Sequence, residues 1–259
     1  MSDRPAPTLP SRGSATSPEL PSRQQLEEQA EWLAPARAQT LRRVQIARRR
    51  AILELGAGYG AVTPELVRRA GGRVTALDRS WGALQRGRDA FAGAARVTAD
   101  AVRLPFADQS FDLVFCQLTL LWVSPLSAAI EEVERVLTPQ GVFVALEPDY
   151  GGMIEYPDRV ATRQMWIEGL ERAEADPYVG RKLPGLLADQ GFSVRVSLFN
   201  TLEEPDPARF ELLRGLPLTD EEMVRLSQIE EITREMNTPW SQVAHLPFVI
   251  VRATKREKD

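Results

Sequence analysis

A carboxylate, a glycine-rich turn and two further carboxylates follow one another along the chain at intervals suited to a nucleoside. Glu54 leads directly into Leu55-Gly56-Ala57-Gly58-Tyr59-Gly60. Glycines at alternate positions permit a tight turn and a close backbone approach to a ligand, with the next helix N-terminus directed at it. The same turn also serves as a plain strand-to-helix connection. Asp78 closes a second apolar run roughly 20 residues past the turn, where an acid can accept hydrogen bonds from both hydroxyls of a ribose. It also suits the cap of a helix starting near Ser80. Asp100 ends a third short run, where a carboxylate beside the turn suits the exocyclic amine of adenine or caps a loop. Asp112 falls at the start of a strand and reads as structural.

These residues need a scaffold that brings them to one edge, and the apolar pattern supplies it. Short apolar strands are expected over residues 51–55, 74–77, 95–98, 111–116 and 142–146, with helices over 62–70, about 80–91 and 126–137 between them. Strand and helix alternating in this way mean βαβ units, a parallel sheet and right-handed crossovers. Ligands of such sheets bind outside the carboxyl ends of the strands. Residues 23–50 favour helix, interrupted at Pro35. The arginines 42, 43, 48, 49 and 50 read as a solvated helix face. Beyond residue 150 the alternation loosens. Residues 156–175, 183–190 and most of 207–236 read as helix, 192–199 and 246–253 as strands. The segments 155–182 and 203–241 are expected as helical insertions forming a lid over the carboxyl edge. Residues 1–21 read as a disordered tail, leaving 22–259 as a single domain.

Composition narrows the chemistry. The 259 residues carry 32 Lys and Arg against 36 Asp and Glu, a formal charge of −4. A chain-wide nucleic-acid footprint is therefore not expected. Cys116 is the only cysteine and His245 the only histidine, which excludes a disulfide framework and a Cys/His zinc site and leaves no metal expected. No apolar run approaches the roughly 20 residues of a membrane span, and no secretory leader is visible. A cytoplasmic location follows as the expectation; the oligomeric state is not readable.

Two ligands fit the glycine turn. Gly56, Gly58 and Ala61 satisfy the G-x-G-x-x-A pattern of a dinucleotide site, which would make the chain an NAD-dependent oxidoreductase. Glu54, Asp78 and Asp100 satisfy the three acids of an S-adenosylmethionine site. Leu104-Pro105-Phe106 and Phe111-Asp112-Leu113-Val114 favour the second. With Leu137-Thr138-Pro139-Gln140-Gly141 before a strand, these motifs resemble class I S-adenosylmethionine-dependent methyltransferases, in the small-molecule branch similar to the ubiquinone and menaquinone C-methylating enzymes. The resemblance is detailed over residues 52–148. Gln140 departs from it, standing where relatives often have Gly.

The resemblance implies a Rossmann-like α/β fold with a seven-stranded, mostly parallel sheet, helices on both faces and the last, antiparallel strand at one edge. It implies that Gly56, Ala57 and Gly58 line the methionine and ribose of S-adenosyl-L-methionine with Glu54 beneath them. Asp78 would grip the ribose and Arg79 lie along the adenine. Asp100 and Ala101 would meet the adenine edge, and Gln117 sit near the sulfonium.

Methyl transfer from a sulfonium is an in-line displacement whose leaving group departs neutral, so alignment and water exclusion outweigh acid–base machinery. No catalytic residue is assigned. Tyr150, Tyr156 and His245 are the candidates for holding a small-molecule acceptor, each with a plain packing role as the alternative. Trp32, Trp166 and Trp240 are expected to pack helices on the sheet. A non-catalytic relative that keeps the cofactor site is the remaining alternative.

Overall fold

The computed structural model describes residues 21–257, apart from 200, 237 and 239. The tail expected over 1–21 lies outside the described residues except for Pro21. In chain order the elements are α1 (Arg23–Trp32), α2 (Ala34–Arg43), β1 (Ala51–Leu55), α3 (Thr63–Arg69), β2 (Arg73–Asp78), α4 (Trp81–Arg86), β3 (Ala94–Thr98), β4 (Phe111–Gln117), α5 (Leu126–Val136) and β5 (Leu137–Pro148). Then follow β6 (Ile154–Tyr156), α6 (Arg163–Arg172), α7 (Val179–Asp189), β7 (Ser193–Phe199), α8 (Ala208–Arg214), α9 (Asp220–Glu235), β8 (Val243–His245) and β9 (Phe248–Thr254).

Seven strands form one sheet in the order β3-β2-β1-β4-β5-β9-β7. The pairs among β1 to β5 are parallel. β9 runs antiparallel to β5 and to β7. The antiparallel strand therefore lies one place in from the edge, and β7 takes the edge position expected of it. β1, β4 and β5 are central, and their residues are almost all buried, as both sheet faces are covered. The order changes direction between β1 and β4, which makes their carboxyl ends the switch point where a ligand crevice forms.

Two layers cover the sheet. On one face Leu41 and Val44 of the N-terminal helical pair join Ile52, Leu66, Phe115, Val144 and Ile250 in one core; on the other, Ile130 and Val133 of α5 and Leu183 and Leu187 of α7 join Val114, Phe143 and Val251. Trp32 closes the first layer by meeting Phe199 and Phe248 edge-on at 5.7 and 5.2 Å. Trp166 stacks on Tyr150 at 5.2 Å, whereas Trp240 is 53% exposed.

Three element boundaries move for identifiable reasons. The first helix breaks at Leu33 rather than at Pro35, which sits in the first turn of α2 where its missing N–H costs nothing. α4 stops at Arg86, and its C-cap Gly87 lies against the Tyr59 backbone, where an added Cβ would come within 2.1 Å of the Tyr59 carbonyl oxygen. Tyr156 is not helical. It ends β6, which pairs antiparallel with β8 through Ile154↔His245 and Tyr156↔Val243. Glu155 of the same strand accepts the Thr162 and Arg163 N–H groups at 2.7 and 2.9 Å and so caps α6.

Candidate functional site

Strand register decides what meets what. Leu55 is level with Leu77 and with Cys116, Asp78 with Thr98, and Gln117 with Leu146. Glu54, Gly56, Ala57, Gly58, Asp78, Arg79, Asp100, Ala101 and Gln117 thus all lie at the carboxyl ends of β1 to β4, around the switch point. The glycine turn is stitched to β2 by Gly56 N–H and Ala57 N–H donating to the Leu77 carbonyl at 2.8 and 3.0 Å.

Asp78 is buried and bridges the turn to the next helix. One carboxylate oxygen accepts the Gly58 N–H at 2.8 Å, the other the Ser80 N–H at 2.7 Å. The cap of α4 is the Ser80 hydroxyl, which accepts the Ala83 N–H at 3.2 Å. Asp78 is therefore not the helix cap. Each of its oxygens keeps a lone pair for a further donor. Gly58 is buried and has left-handed backbone (φ +53°), and among the described residues an added Cβ would have only Leu26 of α1 within 4 Å, at 3.6 Å. Arg79 and Asp100 are exposed, and Ala101 is buried. Asp100 accepts the Val102 N–H at 3.1 Å, and the adjacent Ala99 N–H reaches the Asp78 carbonyl at 3.3 Å.

Glu54 sits one layer deeper. It is 3% exposed and accepts the Thr63 hydroxyl at 2.6 Å. Burial pushes its carboxyl up to about 7, against the pull of Thr63 and Arg37. Arg37, from α2, ties this region together. It donates to the Ala30 carbonyl at 2.7 Å and to the Gln117 carboxamide at 3.0 Å, and pairs with Glu65 at 2.7 Å. Gln117 is thereby held from the N-terminal helical pair, a contact that no motif in the sequence signals.

Two more residues complete the floor. Gly56 (φ +71°) is packed so closely by Thr119 that an added Cβ would lie 2.2 Å from the Thr119 hydroxyl oxygen. Thr119 in turn donates its hydroxyl to the Leu55 and Gln117 carbonyls at 3.2 and 3.0 Å. Glu147, fully buried at the end of β5, accepts the Thr119 and Leu120 N–H groups at 3.1 and 3.0 Å. Its signal in the sequence is an acid ending an apolar run, the same one that marks Glu54.

The three acceptor candidates separate. Tyr150 is buried in the turn after β5, and burial beside Glu147 pushes its hydroxyl well above the usual phenol range. Tyr156 is 64% exposed. His245 is buried, and that burial pulls its pKa down although its ring is bonded to the Phe199 backbone. The latter two share the β6–β8 ribbon, beyond β5 along the same edge. Among the described residues no group of three or more His, Cys, Asp or Glu is assembled to hold a metal, and no helix is long and apolar enough to cross a membrane.

Comparison with known proteins bears on this site. Residues 53–145, the span from β1 into β5, match the family described as a methyltransferase domain. The mitochondrial arginine-hydroxylase NDUFAF5 of Mus musculus is 29% identical over 167 residues, which cover 63% of this chain and 48% of that protein. The malonyl-[acyl-carrier protein] O-methyltransferase of Halorhodospira halophila is 40% identical over 106 residues, 39% of this chain and 36% of that protein. The chain thus spans about half the length, or less, of these curated relatives. In fold it superposes on the YcgJ protein of Bacillus with a TM-score of 0.61 at 15% identity, covering 83% of this chain and 97% of that one. The cofactor that goes with the matched domain is S-adenosyl-L-methionine. Residues 53–145 of this chain match a methyltransferase domain, and the sheet that carries them has the class I S-adenosylmethionine-dependent methyltransferase fold.

Proposed function

We propose that the carboxyl edge of β1 to β4 holds S-adenosylmethionine and that the chain transfers its methyl group to a small-molecule acceptor. The observation that carries this reading is the Gly58–Asp78 bond. It fixes the glycine turn and a buried carboxylate as one cradle, with lone pairs left for ribose hydroxyls. Asp100 and Ala101 flank the position of the adenine edge, and Arg79 covers it from the solvent side. Gln117, at the end of β4, is held by Arg37.

The bound cofactor supplies an electrophilic methyl on a sulfonium, and the chain's own residues supply alignment. Displacement leaves a neutral thioether, so the requirement is a fixed line of attack with water kept out. Tyr150, stacked on Trp166, walls the end of β5 where an acceptor would enter. The segments 155–182 and 203–241 would act as the cover. Tyr150 does not serve as a base near neutral pH, given its raised pKa.

A second reading is favoured by one finding. The relatives aligned over 167 residues are named arginine-hydroxylases. The two readings separate by product. Calorimetry with S-adenosylhomocysteine and with NAD comes first, followed by mass spectrometry of acceptor mixtures incubated with S-adenosylmethionine. Methyl transfer yields S-adenosylhomocysteine and an acceptor heavier by one methylene. A product heavier by one oxygen on a guanidino compound, formed without S-adenosylhomocysteine and only when dioxygen and a two-electron reductant are added, supports the second reading. Binding of NAD alone contradicts both.

A further inference from the structure

We propose that Glu147 is a positioning residue for the donor site: its charged carboxylate pins residues 118–121 against the glycine turn, and donor affinity follows that charge. This rests on the donor-site reading given above. The chain of contacts is continuous. One oxygen of Glu147 accepts the Thr119 and Leu120 N–H groups and lies 3.6 Å from the Cys116 thiol. Thr119 fills the space over Gly56 and bonds the Leu55 carbonyl, the last residue of β1. Leu118, between them, is held at φ +53°, a strained conformation for a branched residue. A turn so constrained needs an anchor, and Glu147 is the anchor.

The second oxygen of Glu147 is buried with no hydrogen-bond partner. A buried carboxylate with an idle oxygen is costly, and the three hydrogen bonds from Thr119, Leu120 and the Cys116 thiol all fall on its other oxygen, leaving that cost only partly offset. Burial pushes the carboxyl up to about 7, with the amide bonds opposing that shift. Bonds to an ionised acceptor are roughly twice as strong as neutral ones, so protonation loosens the grip on residues 119 and 120.

Among the described residues, few ionisable groups face Glu147. Cys116 on β4 and Tyr150 after β5 are both pushed upward. On β9 the neighbour is Val249. α7 approaches through Gly180, and its Arg181 is paired with Asp149 at 2.8 Å. Glu54, the other carboxyl shifted to about 7, bonds Thr63 and not these amides.

The test follows the Thr119 and Leu120 amides by NMR from about pH 6 to about pH 8, with S-adenosylhomocysteine affinity by calorimetry at both ends. In the wild type both amides should shift with a midpoint near 7, and affinity should fall about tenfold toward pH 6. In Glu147→Gln the amide titration should vanish and at least half of the affinity change with it. A merely structural role would weaken affinity equally at both pH values. Amides that do not titrate in the wild type, or a Glu147→Gln variant that keeps the full pH dependence, overturn the proposal. If the variant does not fold, the wild-type amide titration decides alone. Titrating amides with no S-adenosylhomocysteine binding at either pH overturn the donor-site reading and the affinity half of this proposal with it.

Discussion

At the residue scale the decisive positions are those where a side chain, or the lack of one, meets the glycine turn. Asp78→Ala removes the acceptor of the Gly58 N–H and the carboxylate available to a ribose. Calorimetry with S-adenosylhomocysteine should show binding weaker by roughly 1.5–3 kcal/mol, the size of a lost charged hydrogen bond. Unchanged affinity would remove the ribose role. Gly56→Ala carries two costs, a left-handed backbone and a Cβ driven into Thr119. Together they should destabilise the protein by roughly 2–4 kcal/mol in chemical denaturation. A variant as stable as the wild type would mean that residues 118–121 yield easily, contrary to the packing described.

At the element scale, α1 and α2 are the part of the site furthest from it in sequence. Arg37 reaches Gln117 across 80 residues, and it is buried with Glu65 as partner. Arg37→Met leaves Glu65, only 12% exposed, with Arg69 at 2.8 Å as its remaining cation, so the loss should stay below the roughly 3–5 kcal/mol of a buried pair broken on one side. Removing both partners, with Glu65→Leu, should recover much of that. Equal stability of the single and double variants would argue against a paired role.

What the sequence reveals at this scale follows from interaction range. β1, β2, β4 and α5 are legible because continuous apolar runs and helical spacing are local signals. Glu54, Asp78 and Asp100 are legible because each ends such a run. The ribbon of β6 and β8 is not, since three-residue strands are specified by a partner about 90 positions away rather than by their own pattern. The helix expected from Tyr156 fails for that reason, and because Glu155 holds the Thr162 and Arg163 N–H groups where the helix begins. Arg37 and Thr119 go unnoticed because their roles consist of contacts made only after the sheet has assembled. The place of β9 inside the sheet is likewise a matter of topology, invisible in an apolar run.

For the whole molecule, two fully buried carboxyls near pH 7 make stability depend on pH in an unusual direction. Glu54 and Glu147 both have folded pKa values of about 7, above the 4.5 of an exposed carboxyl. A raised carboxyl favours the protonated fold. Its contribution is fully present below the unfolded value and is lost as pH rises from about 4.5 to about 7. The expected loss is of the order of 3 kcal/mol for each. His245, pulled below 6.5, acts oppositely and withdraws stability as pH falls below that value. Denaturation midpoints of wild type, Glu54→Gln and Glu147→Gln across this window isolate the two carboxyls. Each variant should lose part of the decline toward pH 7, and parallel curves for all three would contradict the assignment.

Donor binding requires a single cleft at the carboxyl ends of four neighbouring strands. Its most direct test is titration of the isotope-labelled protein with S-adenosylhomocysteine while backbone amide resonances are followed. Saturable shifts should concentrate at Gly56, Ala57, Gly58, Arg79, Ala101 and Gln117. Shifts confined to the β6–β8 ribbon, or absent at saturating ligand, would contradict it.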